Sequence, residues 1–95
     1  MKVFSRRPGV ELLEICGEYL LVATKDARGA CPYVTQINAS AAAFWKLLDG
    51  TMSAGELAAC AAQASGQEEK TMLLPVLLFV GKMSKSGYLL EEETE

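Results

Sequence analysis

The 95-residue chain contains no histidine. That removes the side chain that most often serves as general base, proton shuttle or metal ligand near neutral pH. Cysteine is sparse as well: Cys16, Cys31 and Cys60 make an odd count with no C-x-x-C pair. Neither a disulfide framework nor a zinc knuckle follows from that spacing, and without a neighbouring base the thiols read as reduced bystanders. There is no Gly-rich phosphate loop, no metal-ligand cluster and no carboxylate pair in a plausible cleft. The chain therefore reads as a non-enzyme, with no catalytic residue, no cofactor and no metal. It also lacks an apolar run long enough to span a bilayer, and the start "MKVFSRRPGVELLE" has neither the apolar stretch nor the cleavage site of a signal peptide. A cytoplasmic location is expected. Basic residues number 9 against 12 acidic ones, for a net charge of −3, so the mean field repels nucleic acid and anionic membrane surfaces.

What remains is apolar and structured. Hydrophobic residues make up 51% of the chain and charged ones 22%, too apolar for disorder. The length allows one domain over residues 1–95 with a modest core, about 9–90, followed by a solvated acidic tail. "GVELLEIC" and "EYLLVAT" read as strands joined at Gly17-Glu18, a pair suited to a type II′ turn. The second run is apolar on both faces, which makes it a central strand. After the polar connection "KDARGACP", the run "YVTQI" alternates Tyr33, Thr35 and Ile37 against Val34 and Gln36, an edge strand that completes a meander.

Three helices follow. Asn38 or Ser40 caps the first, whose stripe is Ala41, Phe44, Trp45 and Leu48 and which stops at Asp49-Gly50. Ser53 and Glu56 have capping-box spacing, with Met52 and Leu57 at the staple positions, so a second helix starts at Ser53. Its stripe is Leu57, Cys60, Ala61 and Ala64. The third, roughly 67–86, has Glu68 and Glu69 in its first turn and Lys82 and Lys85 in its last, matching the helix dipole. Met72, Val76, Phe79 and Met83 form its stripe, but Leu73, Leu74, Leu77 and Leu78 widen the apolar surface, which implies more than one apolar neighbour. Pro75 within it predicts a kink or a restart. The fold class is α+β: a winged-helix-like arrangement of a three-stranded antiparallel meander and three α-helices.

The segment "INASAAAFWKLLDGTMSAGELA" resembles the signature of the PqqD family, the peptide-binding domains also called RiPP recognition elements. Ile37, Asn38, Ser40, Ala41, Phe44, Trp45, Leu47, Leu48, Asp49, Gly50, Ser53, Glu56 and Leu57 stand where that pattern expects them, and "FVGKMSKSGYL" is similar to its closing motif. The chain departs from the pattern at Pro75, where an acidic residue is usual. The resemblance implies a non-catalytic domain that binds the leader of a ribosomally made precursor peptide. It also implies a partner modifying enzyme such as a radical SAM maturase, as in pyrroloquinoline quinone (coenzyme PQQ) synthesis. In that family the leader adds as a strand beside the third strand, against the third helix.

An exposed strand edge beside an overly apolar helix is what strand addition requires. The expected peptide site is therefore Tyr33, Val34, Thr35, Gln36 and Ile37 through their backbone, with Leu74, Leu78, Lys82 and Lys85 as the helical wall. Phe44 and Trp45 are assigned to the core. Two alternatives compete: a winged-helix regulator of DNA, which the acidic start of the third helix and its lack of arginine argue against, and a generic scaffold or dimerisation domain. Two free strand edges also make a weak or swapped homodimer an expectation.

Overall fold

The computed structural model describes residues 1–94. Its elements in chain order are β1 (Lys2–Arg6), β2 (Val10–Ile15), β3 (Glu18–Ala23), β4 (Val34–Ile37), α1 (Ala39–Leu47), β5 (Met52–Ser53), α2 (Ala54–Ser65), α3 (Glu69–Ser86) and β6 (Leu89–Glu93). A single 3₁₀ turn over Lys25–Ala27 buries Ala27 in the connection before β4. The meander and the three helices give the winged-helix-like α+β architecture.

The meander pairs in the order β2-β3-β4, with β3 central and β4 at an edge. Its hairpin turns at Cys16-Gly17, one residue earlier than expected from the Gly-X pair. Both residues have positive φ, 52° and 79°, which is the type I′ pattern whose twist matches the flanking strands. Leu12, Tyr19, Leu21 and Ile37 turn one face of this sheet to the core, whereas Leu13, Ile15 and Val34 leave the other exposed.

Asn38 caps α1, its side chain accepting from the Ala41 N–H at 2.8 Å. Ser53 caps α2 in a complete capping box: Ser53 Oγ accepts from the Glu56 N–H and Glu56 Oε1 from the Ser53 N–H. Gly66, in the left-handed region, ends α2. The buried face of α2 is Leu57, Ala58, Ala61 and Ala62, rotated from the expected stripe, so Cys60 is only half-buried and Ala64 is exposed. Small alanines leave helical periodicity weakly marked, and the neighbouring helix α3 chooses the face. All three cysteines are free.

Three features differ from expectation. Residues 2–6 form a strand, and so do residues 89–93, which include the start of the acidic tail: β6 pairs antiparallel with β1 along its whole length, from Lys2 opposite Glu93 to Arg6 opposite Leu89. With β5 these make a second sheet, β5-β1-β6. Glutamates have low strand propensity, but the backbone ladder holds them and Lys2 lies 3.5 Å from Glu91. Second, α3 runs unbroken through Pro75 and does not restart. Packing of Met72 before it and of Val76, Phe79, Val80 and Met83 after it against the core holds the helix across the bond that proline removes from Thr71. Third, Leu73, Leu74, Leu77 and Leu78 are all exposed rather than buried under a second apolar element.

The core joins both sheets and all three helices: Phe4, Leu21, Phe44, Trp45, Leu48, Leu57, Val76, Phe79, Tyr88 and Leu89 belong to one cluster. Gly87 closes α3 at φ 92°, and a Cβ there would lie 2.5 Å from the Ala30 carbonyl oxygen. The backbone approach and the positive φ both demand glycine. Gly87→Ala is expected to lower the unfolding free energy by at least about 2 kcal/mol. Urea denaturation followed by circular dichroism checks it, and a loss below about 0.5 kcal/mol contradicts the close packing.

Candidate functional site

The exposed edge of β4 borders a groove of about 540 Å³ walled by α3 and floored by the start of α1. The polarity of that edge follows from register. Tyr19, Leu20, Leu21 and Val22 of β3 stand opposite Ile37, Gln36, Thr35 and Val34. One pair further on, the Ala23 N–H donates to the Tyr33 carbonyl at 2.8 Å. Antiparallel bonds engage alternate residues, so Thr35 and Ile37 turn their N–H and C=O groups inward to β3 while Val34 and Gln36 turn theirs outward. The free edge thus offers two donors and two acceptors from Val34 and Gln36.

The other free edge belongs to β2 and carries Glu11 and Glu14, whereas β4 has no charged residue. Charged side chains guard an edge against pairing, so β4 is the unguarded one.

The groove is lined by Gln36, Ile37, Asn38, Ser40, Ala41 and Phe44 on one side and by Pro75, Leu78, Phe79, Lys82 and Met83 of α3 on the other. Phe44 and Phe79 meet edge to face, ring centroids 5.5 Å apart, and form an apolar floor. Pro75, Leu78 and Lys82 recur at helical spacing along one side of α3. Leu78 is 66% exposed, so it is free to contact a ligand.

A hydroxyl relay fixes the relation between the two walls. Tyr88, fully buried just beyond α3, donates to the Pro32 carbonyl at 2.7 Å. A phenol has one hydrogen, so the Thr35 hydroxyl, 2.6 Å away, donates to the Tyr88 oxygen. The C-terminal end of α3 is thereby tied to the start of β4, and the helix runs back along the strand toward the start of α1. Nearby, the Arg28 guanidinium lies 5.3 Å from the Tyr33 ring and donates to its hydroxyl at 3.3 Å.

Of the residues expected from sequence, Gln36, Ile37, Leu78 and Lys82 line the groove. Val34 belongs to the site through its outward backbone. Thr35 contributes the tie to Tyr88 rather than an outward N–H. Tyr33, Leu74 and Lys85 lie outside the groove lining; Leu74, one turn before Leu78, is 64% exposed. Sequence reasoning missed Asn38, Ser40, Ala41, Pro75, Phe79 and Met83, and it placed Phe44 in the core alone although its edge reaches the groove. The spacing of Pro75, Leu78, Phe79 and Lys82 carried the signal for the helical wall. The α1 residues needed the tertiary arrangement.

Among the described residues, no group of three or more Cys, Asp or Glu is placed to hold a metal ion, and no helix is long and apolar enough to cross a membrane. A family model described as Coenzyme PQQ synthesis protein D (PqqD) matches residues 22–89. No curated protein and no solved structure matches the chain.

Tyr88→Phe deletes the relay and leaves the Pro32 carbonyl without its donor. The expected cost is about 1–3 kcal/mol, with faster amide exchange over residues 33–37 than over β2. Unchanged exchange in β4 would show that the tie does not hold the strand.

Proposed function

The chain belongs to the PqqD family, whose members are non-catalytic binding domains for precursor peptides, and we propose that it captures the leader of a ribosomally synthesised precursor by β-strand addition at β4. The leader pairs with the outward N–H and C=O groups of Val34 and Gln36. It sets alternate side chains into the groove beside Leu78 and Phe79 and is presented to a cytoplasmic modifying enzyme, for example a radical SAM maturase. The observation that supports this reading is the coincidence of the unguarded β4 edge with a groove floored by Phe44 and Phe79 and walled by Leu78.

Magnitudes support two contributions. A micromolar complex corresponds to about −8 kcal/mol, and each ladder bond adds only about 1 kcal/mol net. Four bonds fall short once ordering of a flexible peptide is counted. Two aliphatic side chains buried in the groove add roughly 3–6 kcal/mol, which closes most of the gap.

The test is calorimetric titration with the N-terminal segment of a short open reading frame encoded beside this gene, combined with amide exchange. Micromolar binding that protects the amides of Val34 and Gln36 is expected. Failure of every such segment to bind, or binding that leaves those amides unprotected, rules strand addition out.

Two substitutions sharpen the test. Leu78→Asp, at an exposed position, is expected to keep the fold and weaken binding at least tenfold. Gln36→Pro removes an outward N–H and should likewise weaken binding at little cost in stability, whereas Thr35→Pro breaks a bond to β3 and destabilises the sheet. Equal effects of the two prolines on stability would contradict the register.

A further inference from the structure

The site is not chemically uniform along its length. At the end of β4 and the start of α1 it is uncharged, with Ile37, Ala41, Phe44, Pro75 and Leu78 supplying apolar surface beside Gln36, Asn38 and Ser40. The opposite end lies where Tyr88 ties α3 to the start of β4. There α3 presents Lys82 and then, one turn on, Lys85. The connection before β4 adds Arg28, held against the ring of Tyr33, whose place in the strand alternation puts it on the α3 side with Thr35 and Ile37. None of the ion pairs among the described residues includes Arg28, Lys82 or Lys85. Lys82 in the groove, with Lys85 and Arg28 beyond its lining on the Tyr88 side, thus puts positive charge toward one end of a groove whose other end is uncharged, in a protein of net charge −3.

A helix dipole accounts for lysines in a last turn. It does not account for Lys82, which lines the groove more than a turn before the end of α3, nor for Arg28 on a separate element. An aromatic ring that pre-orients a guanidinium lowers the entropy lost when that group takes up a carboxylate.

We infer that the site reads direction as well as strand character: its ligand is an extended segment with aliphatic residues at one end and acidic residues at the other. This rests on the strand-capture reading above. The order follows from the sheet. All pairings in β2-β3-β4 are antiparallel, and antiparallel addition is the more stable per residue. A strand antiparallel to β4 has its N-terminal end beside Ile37 and its C-terminal end beside Tyr33. The bound segment therefore carries aliphatic residues first, at alternate positions, and Asp or Glu after them.

Two capped synthetic peptides of identical composition test the order, Leu-Thr-Leu-Thr-Glu-Thr-Glu-Thr and its reversed sequence, titrated calorimetrically against the full chain. The aliphatic-first peptide is expected to bind at least tenfold more tightly. That advantage should shrink as salt is raised, because exposed ion pairs are screened. It should disappear when the two glutamates are replaced by glutamine. In an Arg28→Glu, Lys82→Glu, Lys85→Glu variant, whose substitutions are at the surface, the preference should pass to a peptide with lysines in place of the glutamates.

Equal affinities for the two orders overturn directional reading while leaving strand capture intact. A preference for the reversed peptide overturns the antiparallel order. No binding of either peptide, beside a natural leader that does bind, overturns the assignment of this ligand class. No binding of any peptide removes the underlying reading with it.

Discussion

The hydroxyl of Tyr88 links the two walls of the groove between β4 and α3. It is buried, donates to Pro32 and accepts from Thr35, so one group joins the end of α3, the connection before β4 and β4 itself. Residue 87 reinforces the junction from the backbone side: its carbonyl accepts from the Arg7 Nε, and its missing Cβ lets Ala30 and Cys31 pack against it. Without this junction a strand edge and a helix would be two separate surfaces. With it they are the walls of one groove.

The same junction explains why α3 tolerates Pro75. A proline in a helix interior removes a backbone bond and costs about 3 kcal/mol in an ideal case. Here α3 is anchored before it by Met72, which packs against the core, and after it by Val76, Phe79, Val80 and Met83 in the core and by Tyr88 beyond its end. The proline itself lines the groove, on a helix face with different demands from the buried one. The two edges of the meander differ in the same spirit. Glu11 and Glu14 burden one with charge, and the other is left neutral beside the groove. Of these two edges the neutral one is the less guarded against pairing.

Exposed leucines on α3 fit this division of labour only in part. Leu78 lines the groove and Leu74 continues its row, but Leu73 and Leu77 face solvent elsewhere on the helix. Their exposure shows that apolarity all round a helix does not by itself imply burial all round. A partner surface and an internal neighbour leave the same trace in sequence.

Local chemistry was decided by the sequence itself. The cap at Asn38, the capping box at Ser53 and Glu56, the stop at Gly66, the central place of β3 and the edge place of β4 all follow from interactions within a few residues or from strand alternation, which a linear reading captures. So does the family resemblance. The helix α1, by contrast, stops at Leu47 with Leu48 as its cap, before Asp49-Gly50. Long-range pairing was decided only by the tertiary structure. Residues 2–6 and 89–93 become strands because each supplies the other's ladder across most of the chain, and neither shows a strong strand pattern alone. The buried face of α2, the exposure of Leu74 and Leu78, the inward N–H of Thr35 and the place of Lys82 in the groove depend on which elements pack together. Register and packing are set by the sum of distant contacts, and no local spacing encodes them.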